Sequence, residues 1–216
     1  MKIHTIAYSS ELPLALLECL VERLPEENRQ KFYRYKKWED AYNYLFGRYL
    51  LKCALADAGI QLDSFDLRYT EFGRPYLPGG PCFSISHSGK RAVCLLAGKG
   101  RVGVDLEEIK DLPVVDFADH FSAQEWKNIQ GAASPLHRFY YYWTAKESIL
   151  KADGRGLSIK LTEIDVTKPL VLLGDHAWLT QPIESFEGYA CHIAHEPESD
   201  FLGIKAYSPA DFIYFS

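Results

Sequence analysis

The segment Val102-Gly103-Val104-Asp105-Leu106-Glu107 alternates with the period of a β-strand, so Val102, Val104 and Leu106 share one face while Gly103, Asp105 and Glu107 share the other. The apolar face suits a core. The other face offers two carboxylates, the hard oxygen donors that magnesium prefers; that ion needs few protein ligands and completes its shell with water and substrate phosphates. Farther along, Trp143-Thr144-Ala145-Lys146-Glu147-Ser148-Ile149-Leu150-Lys151 stacks Glu147 and Lys151 on one helical face, with Trp143 and Leu150 available as anchors. Brought to one cleft, three carboxylates and a lysine could hold a divalent cation against a pyrophosphate. Taken singly, the two segments also fit plainer readings: an acidic strand edge, and a surface Glu/Lys pair worth about 0.2–0.5 kcal/mol.

Two upstream segments suit an anion. In Phe83-Ser84-Ile85-Ser86-His87-Ser88-Gly89, Phe83 and Ile85 alternate into a core, and the turn beyond them presents hydroxyls, an imidazole and backbone N–H groups. A Ser-His nucleophilic pair is disfavoured, because sequence neighbours rarely achieve the required approach and orientation. Gly73-Arg74-Pro75-Tyr76 sets an arginine in a rigid turn, with Arg48 and Lys52 one helical turn apart on the preceding helix; fixed arginines suit phosphate. Two other patterns are decoys. Gly98-x-Gly100-x-x-Gly103 leads into a strand instead of opening a helix, so it lacks the helix N-terminus that binds pyrophosphate in that motif. His192 and His195 would face opposite ways in a strand, which speaks against a metal there.

The elements that must position these groups follow from the same periodicities. Residues 2–8 read as a strand, 12–24 as an amphipathic helix interrupted at Pro25, and 26–58 as a long helical tract stopped by Gly59. Short strands are expected at 67–70, 81–86, 92–97 and 101–107. The order then repeats: Ser122-Ala123-Gln124-Glu125 is a capping box for a short helix, Ser134-Pro135 opens a long helix to Ala152, and strands are expected near 163–167, 170–173, 189–195 and 201–207. The predicted class is α+β: two similar α/β lobes, residues 1–103 and 104–216, each a small, mainly antiparallel sheet packed on a long helix, with the active site between them.

Composition narrows the function classes. A hydrophobic content of 47% with 14% aromatics is ample for a core in 216 residues. No apolar run approaches a membrane span and the N-terminus lacks a leader pattern, so a cytoplasmic location is expected. The five cysteines form no C-x-x-C pair. A net charge of -5 argues against nucleic-acid binding, and it is unevenly spread: residues 1–104 hold 15 Lys and Arg against 11 Asp and Glu, residues 105–216 nine against 18. A cleft between the halves could set cations against carboxylates.

In this order, Gly73-Arg74-Pro75, Phe83-x-Ile85-Ser86-His87-Ser88-Gly89, Gly103-x-Asp105-x-Glu107 and Trp143-x-x-Lys146-Glu147-Ser148-x-x-Lys151 resemble the Sfp-type 4'-phosphopantetheinyl transferases over residues 31–157. That resemblance implies a pseudo-dimer of two α/β lobes. It implies transfer of 4'-phosphopantetheine from coenzyme A to a serine hydroxyl of an apo acyl or peptidyl carrier protein, with release of 3',5'-ADP. Magnesium, with manganese as the alternative, would be held by Asp105, Glu107 and Glu147. Glu147 would be the base toward the incoming serine, directly or through water, and Lys151 would steady the pyrophosphate or the leaving group. Coenzyme A would be bound by Lys31, Arg48, Arg74, Ser86, His87 and Lys151, with the first lobe on the nucleotide side and the second holding metal and catalytic residues. Lys146 would support the site without being a ligand. Arg74 stands where many relatives have lysine, Thr144 where they often have serine or another small residue, and Asn28 where some have lysine. Phe117, Phe121 and Trp126 are candidate carrier contacts or core residues. The expected enzyme is a monomer with no nucleic-acid or membrane partner. A non-catalytic carrier-binding module or a magnesium-dependent phosphohydrolase are the alternatives; the second leaves the Gly-Arg-Pro and Ser-His segments unexplained.

Overall fold

The computed structural model describes residues 1–61, 63, 66–198 and 200–214. Strand β1 (Lys2–Ala7) leads to helices α1 (Leu14–Glu22), α2 (Glu26–Tyr33) and α3 (Trp38–Asp57). Pro13 and Pro25 immediately precede α1 and α2, where a fixed φ is pre-set for the chain's entry and a missing N–H is not required. The tract expected as one helix over 26–58 is broken at residues 34–37. The break lets α2 fold back on α3, which buries Phe32 and allows the Asn28 side-chain amide to donate to the Tyr44 hydroxyl at 2.7 Å.

A two-stranded hairpin, β2 (Arg68–Tyr69) and β3 (Pro75–Tyr76), precedes β4 (Cys82–Ser88), β5 (Arg91–Ala97) and β6 (Val102–Glu108). After a 3-10 turn at Val114–His120 come α4 (Ala123–Gln130) and α5 (Pro135–Asp153). The capping box on Ser122 and Glu125 forms as expected, Pro135 occupies the first turn of α5, and Gly154 ends that helix at φ 88°, a left-handed position that glycine accepts without steric cost. Strands β7 (Leu170–Leu173), β8 (His176–Pro182), β9 (Tyr189–His195) and β10 (Ile204–Tyr207) complete the chain, with a last 3-10 turn at Pro209–Tyr214. The strand expected near 163–167 is instead a 3-10 turn at Leu161–Glu163 followed by a side-chain-capped turn, because the Val166 N–H donates to the Glu125 carboxylate and the Thr167 N–H to that of Asp165.

The strands form two four-stranded sheets, β10-β1-β5-β4 and β6-β9-β8-β7, antiparallel except for the parallel pair β1/β10. The lobe boundary expected at 103/104 therefore does not hold for the C-terminal strand. β10 crosses back to the first sheet, Tyr207 meets the buried His4 ring at 2.9 Å, and Phe212 is buried in the first lobe's core.

Three apolar cores stack in order. One joins α1–α3 to the outer face of the first sheet, one lies between the two sheets, and one joins α4 and α5 to the outer face of the second. In β6, Val102, Val104 and Leu106 enter the middle core, which leaves Gly103, Asp105 and Glu107 toward α5. The two sheets meet at β4 and β6 without a backbone ladder. The N–H groups of Val104, Leu106 and Glu108 donate instead to the hydroxyls of Ser84, Ser86 and Ser88, at 3.0, 3.2 and 3.0 Å. Every second residue of β4 thus supplies the acceptor that a neighbouring strand's carbonyl would otherwise provide.

Candidate active site

Gly103 decides how near α5 can come to β6. A Cβ at this position would overlap the Ser148 carbonyl oxygen and the backbone of Ala152, so only glycine allows the helix to lie directly across the strand. With the helix seated there, the Lys151 ammonium reaches Asp105 Oδ1 at 2.6 Å and the Ser86 hydroxyl at 2.8 Å. The Ser86 hydroxyl in turn donates to Asp105 Oδ1 at 3.1 Å. Asp105 is 3% exposed, and its other oxygen, Oδ2, is buried with no hydrogen-bond partner among the described residues. A buried carboxylate oxygen in that condition is costly unless a cation or donor completes it.

The cleft at this point has a volume of about 340 Å³ and is lined by Ile85, Ser86, His87, Asp105, Glu107, Trp143, Glu147 and Lys151. A second cleft, about 280 Å³, shares Ile85, Glu147 and Lys151 with it and extends past Leu150 toward Phe72, Arg74 and Gly154. The electrostatics are those of crowded anions. Burial, then the charge of Asp105, raises the carboxyl pKa of Glu107 and likewise that of Glu147, with Lys151 opposing both shifts. His87 is shifted the other way, first by desolvation against the cleft walls and then by the Lys151 charge, which favours the neutral ring.

The donor set fits a small hard cation, since it offers carboxylate oxygens, one of them orphaned and buried, and no thiolate. Among the described residues no three His, Cys, Asp or Glu side chains converge as a ready-made metal cage. A magnesium ion does not require one, because it commonly takes one or two carboxylates together with substrate phosphates.

Six of the residues singled out from sequence, Asp105, Glu107, Glu147, Lys151, Ser86 and His87, line one cleft. Arg74 lines the adjoining one, but its Nη1 donates to the Ala152 carbonyl at 2.7 Å and its Nη2 to the Val102 carbonyl at 3.2 Å. Its guanidinium ties the β2–β3 hairpin to α5 and β6, where the sequence suggested a free phosphate donor. Lys31 and Arg48 line neither cleft. Both sit over the Tyr44 ring, and Arg48 donates to the Tyr69 hydroxyl at 3.0 Å. Phe121 is buried, while Phe117 and Trp126 are half-buried and pack against the same core as α5. His192 is buried and bonds Thr144 at 2.8 Å, in keeping with a packing role for that histidine.

Lys146, beside Glu147, is wholly buried. Its ammonium meets the equally buried Glu125 at 2.8 Å and the carbonyls of Leu161 and Ile164 at 2.8 and 2.5 Å. Three donors thus find three acceptors, which fixes the rotational setting of α5 and therefore of Glu147 and Lys151. Sequence reasoning gave Trp143 only an anchoring part and Ser88 only that of a turn hydroxyl, and gave Ser84 none. The alternation Ser84-x-Ser86-x-Ser88 was the available signal, but its meaning depends on which strand lies alongside.

A family model described as the 4'-phosphopantetheinyl transferase superfamily matches residues 101–194, which span β6, α4, α5 and β7–β9. A 4'-phosphopantetheinyl transferase of Bacillus subtilis is 34% identical over 173 residues, covering 77% of this chain and 76% of the relative. The 4'-phosphopantetheinyl transferase Sfp of Bacillus subtilis (strain 168) is 31% identical over 172 residues, covering 77% and 76%. The 4'-phosphopantetheinyl transferase gsp of Aneurinibacillus migulanus is 29% identical over 192 residues, covering 84% and 80%.

Proposed function

The chain belongs to the 4'-phosphopantetheinyl transferases, and from that premise we propose that it moves 4'-phosphopantetheine from coenzyme A to a serine hydroxyl of an apo acyl or peptidyl carrier protein, releasing 3',5'-ADP. The observation that carries the finer reading is the buried, unpartnered Asp105 Oδ2 beside Glu107 and Glu147 in a cleft that Lys151 closes. Asp105 would hold magnesium, or manganese, with Glu107 and Glu147 as further oxygen donors. Bound there, the metal would supply Lewis-acid stabilisation to a pyrophosphate.

The chain's own groups account for the remainder. Lys151 places a cation among the three carboxylates, where it can meet a pyrophosphate oxygen. The neutral His87 ring and the Ser86 hydroxyl line the first lobe's side of the same cleft and would contact coenzyme A there. Glu147 is the base. A base positioned there, acting directly or through water, is worth about 10²–10⁴ in rate. The carrier serine oxygen bonds to the phosphorus that bears pantetheine, the bond from that phosphorus to the oxygen bridging toward the adenosine breaks, the serine proton passes to Glu147, and 3',5'-ADP leaves with the bridging oxygen. The first sheet, with β10 returned to it, would form the nucleotide side of the cleft, and β6 with α5 the metal side. The protein would work as a cytoplasmic monomer, without nucleic-acid or membrane partners. Among the described residues no helix is long and apolar enough to cross a membrane.

The test is the mass of several apo carrier proteins before and after incubation with the protein, coenzyme A and magnesium. A gain of one phosphopantetheine that disappears with chelator is the expected result. No gain on any carrier overturns the substrate assignment, and a gain indifferent to chelator overturns the metal assignment.

A further inference from the structure

The serine ladder across the two sheets carries more than backbone contacts. Each hydroxyl on this face of β4 accepts from the N–H twenty positions on, and two of the three also donate to the side chain nineteen positions on. Ser86 accepts from Leu106 N–H and donates to Asp105; Ser88 accepts from Glu108 N–H at 3.0 Å and donates to Glu107 Oε2 at 2.7 Å. Ser84 accepts from Val104 N–H at 3.0 Å in the same way, but the residue that would receive its proton is Gly103, which has no side chain. Two serines of one lobe therefore hold carboxylates of the other, and the third makes the same backbone contact with nothing to hold.

We propose that Ser88 is a positioning residue that fixes Glu107 as a cation ligand from across the lobe boundary. The backbone N–H of Glu108 occupies a lone pair of the Ser88 hydroxyl and so orients its proton toward Glu107, which pins the Oε2 oxygen and leaves Oε1 to the cleft. Without the hydroxyl, Glu107 keeps its place on β6 but loses the bond that fixes its rotamer. Outer partners of this kind typically govern metal affinity by about 10–100-fold. The proposal rests on the reading of Glu107 as a metal ligand, and the chain contains its own control in Ser84.

The experiment measures Mn²⁺ binding directly, by electron paramagnetic resonance of the free ion in the presence of coenzyme A, with melting temperatures recorded in parallel. Ser88→Ala should weaken Mn²⁺ binding about 10-fold or more, and Ser84→Ala by less than about 2-fold although it removes the same kind of seam bond; Ser88→Thr, which keeps the hydroxyl, should recover most of the affinity. Equal weakening in both alanine variants, or no weakening in Ser88→Ala, overturns the proposal. Asp105→Ala separates the two levels. If it abolishes binding while Ser88→Ala does not alter it, the metal site stands and the role of Ser88 falls. If the unaltered protein binds no Mn²⁺ under these conditions, both fall together.

Discussion

Helices α3 and α5 each lie across a four-stranded sheet on an apolar core, yet α5 adds a wholly buried ion pair, Lys146 with Glu125. α3 buries Leu45, Phe46, Tyr49, Leu50 and Leu51 against the first sheet, and its glycine, Gly47, places a would-be Cβ 3.1 Å from the Ile85 side chain, close but yielding. α5 buries Thr144, Lys146 and Ser148 completely, and the glycine that meets it, Gly103, faces unyielding helix backbone. Apolar packing is non-directional and tolerates small rotations or slides of a helix. Hydrogen bonds and ion pairs in a dry interior do not, because a misplaced partner leaves a buried polar group unpaired. The polar interior belongs to the helix that carries Glu147 and Lys151, whose atoms must meet groups on β6. The helix with apolar packing carries no member of the carboxylate cluster.

The contrast can be broken at several points. The largest effect expected is on activity. Asp105→Ala should abolish transfer, scored by carrier mass, while circular dichroism and the cooperative melt stay native-like, because a polar cleft residue is lost and no apolar core is emptied. A variant that turned over normally would remove Asp105 from the site. Next comes the buried pair. Lys146→Ala leaves Glu125 charged in the core with its two backbone N–H donors but no counter-ion, and should cost about 3–5 kcal/mol in denaturant unfolding. Glu125→Leu/Lys146→Met should not restore it, since the Ser122 and Val166 N–H groups would lose their carboxylate acceptor and the Leu161 and Ile164 carbonyls their ammonium donor. Full recovery by the double variant would mean that the polar setting of α5 is dispensable.

The two glycines give a matched pair. Gly103→Ala must push α5 off β6, for about 3 kcal/mol or more and a loss of turnover, whereas Gly47→Ala should fall within about 1 kcal/mol of the parent because the gain in helix propensity offsets a mild contact. Similar penalties at both positions would contradict the difference drawn here. The smallest effect is in pH. The folded-state pKa of Glu147 is raised above the ordinary 4.5, so without metal the folded chain binds more protons than the unfolded one in the window just above that value, and this group's contribution to stability falls as pH rises through it. Glu147→Gln should therefore melt higher than the parent above that window, with the gap closing as pH drops toward 4.5. A gap that widens on acidification would show that Glu147 is not held among like charges.

Much of this was legible in the chain. The period-two pattern of residues 102–107 does put three alternate residues in the middle core and the acidic face toward α5, and the capping box and Pro135 mark the helix starts that the structure contains. Other signals failed for identifiable reasons. β8 went unread because His176 and Gln181 interrupt its apolar pattern, although Trp178 within it is wholly buried. The expected strand near residues 163–167 was overridden when the Glu125 carboxylate took the Val166 N–H. For Arg48, Lys31 and Arg74 the sequence supplied the charge but not its protein partners, a tyrosine ring and two backbone carbonyls.

By itself the sequence determined the local periods, the caps, the acidic and basic groups and their order, because those depend on neighbours within a turn or a pleat. Tertiary structure alone decided the partnerships. It returned β10 to the first sheet, set Ser84, Ser86 and Ser88 opposite the N–H groups of β6, sealed Lys146 against Glu125, and left Asp105 Oδ2 without a partner. The physical reason is that each depends on which strand or helix lies alongside at a distance of a few ångströms, and that is fixed only when the three apolar cores close around Gly103 and its helix.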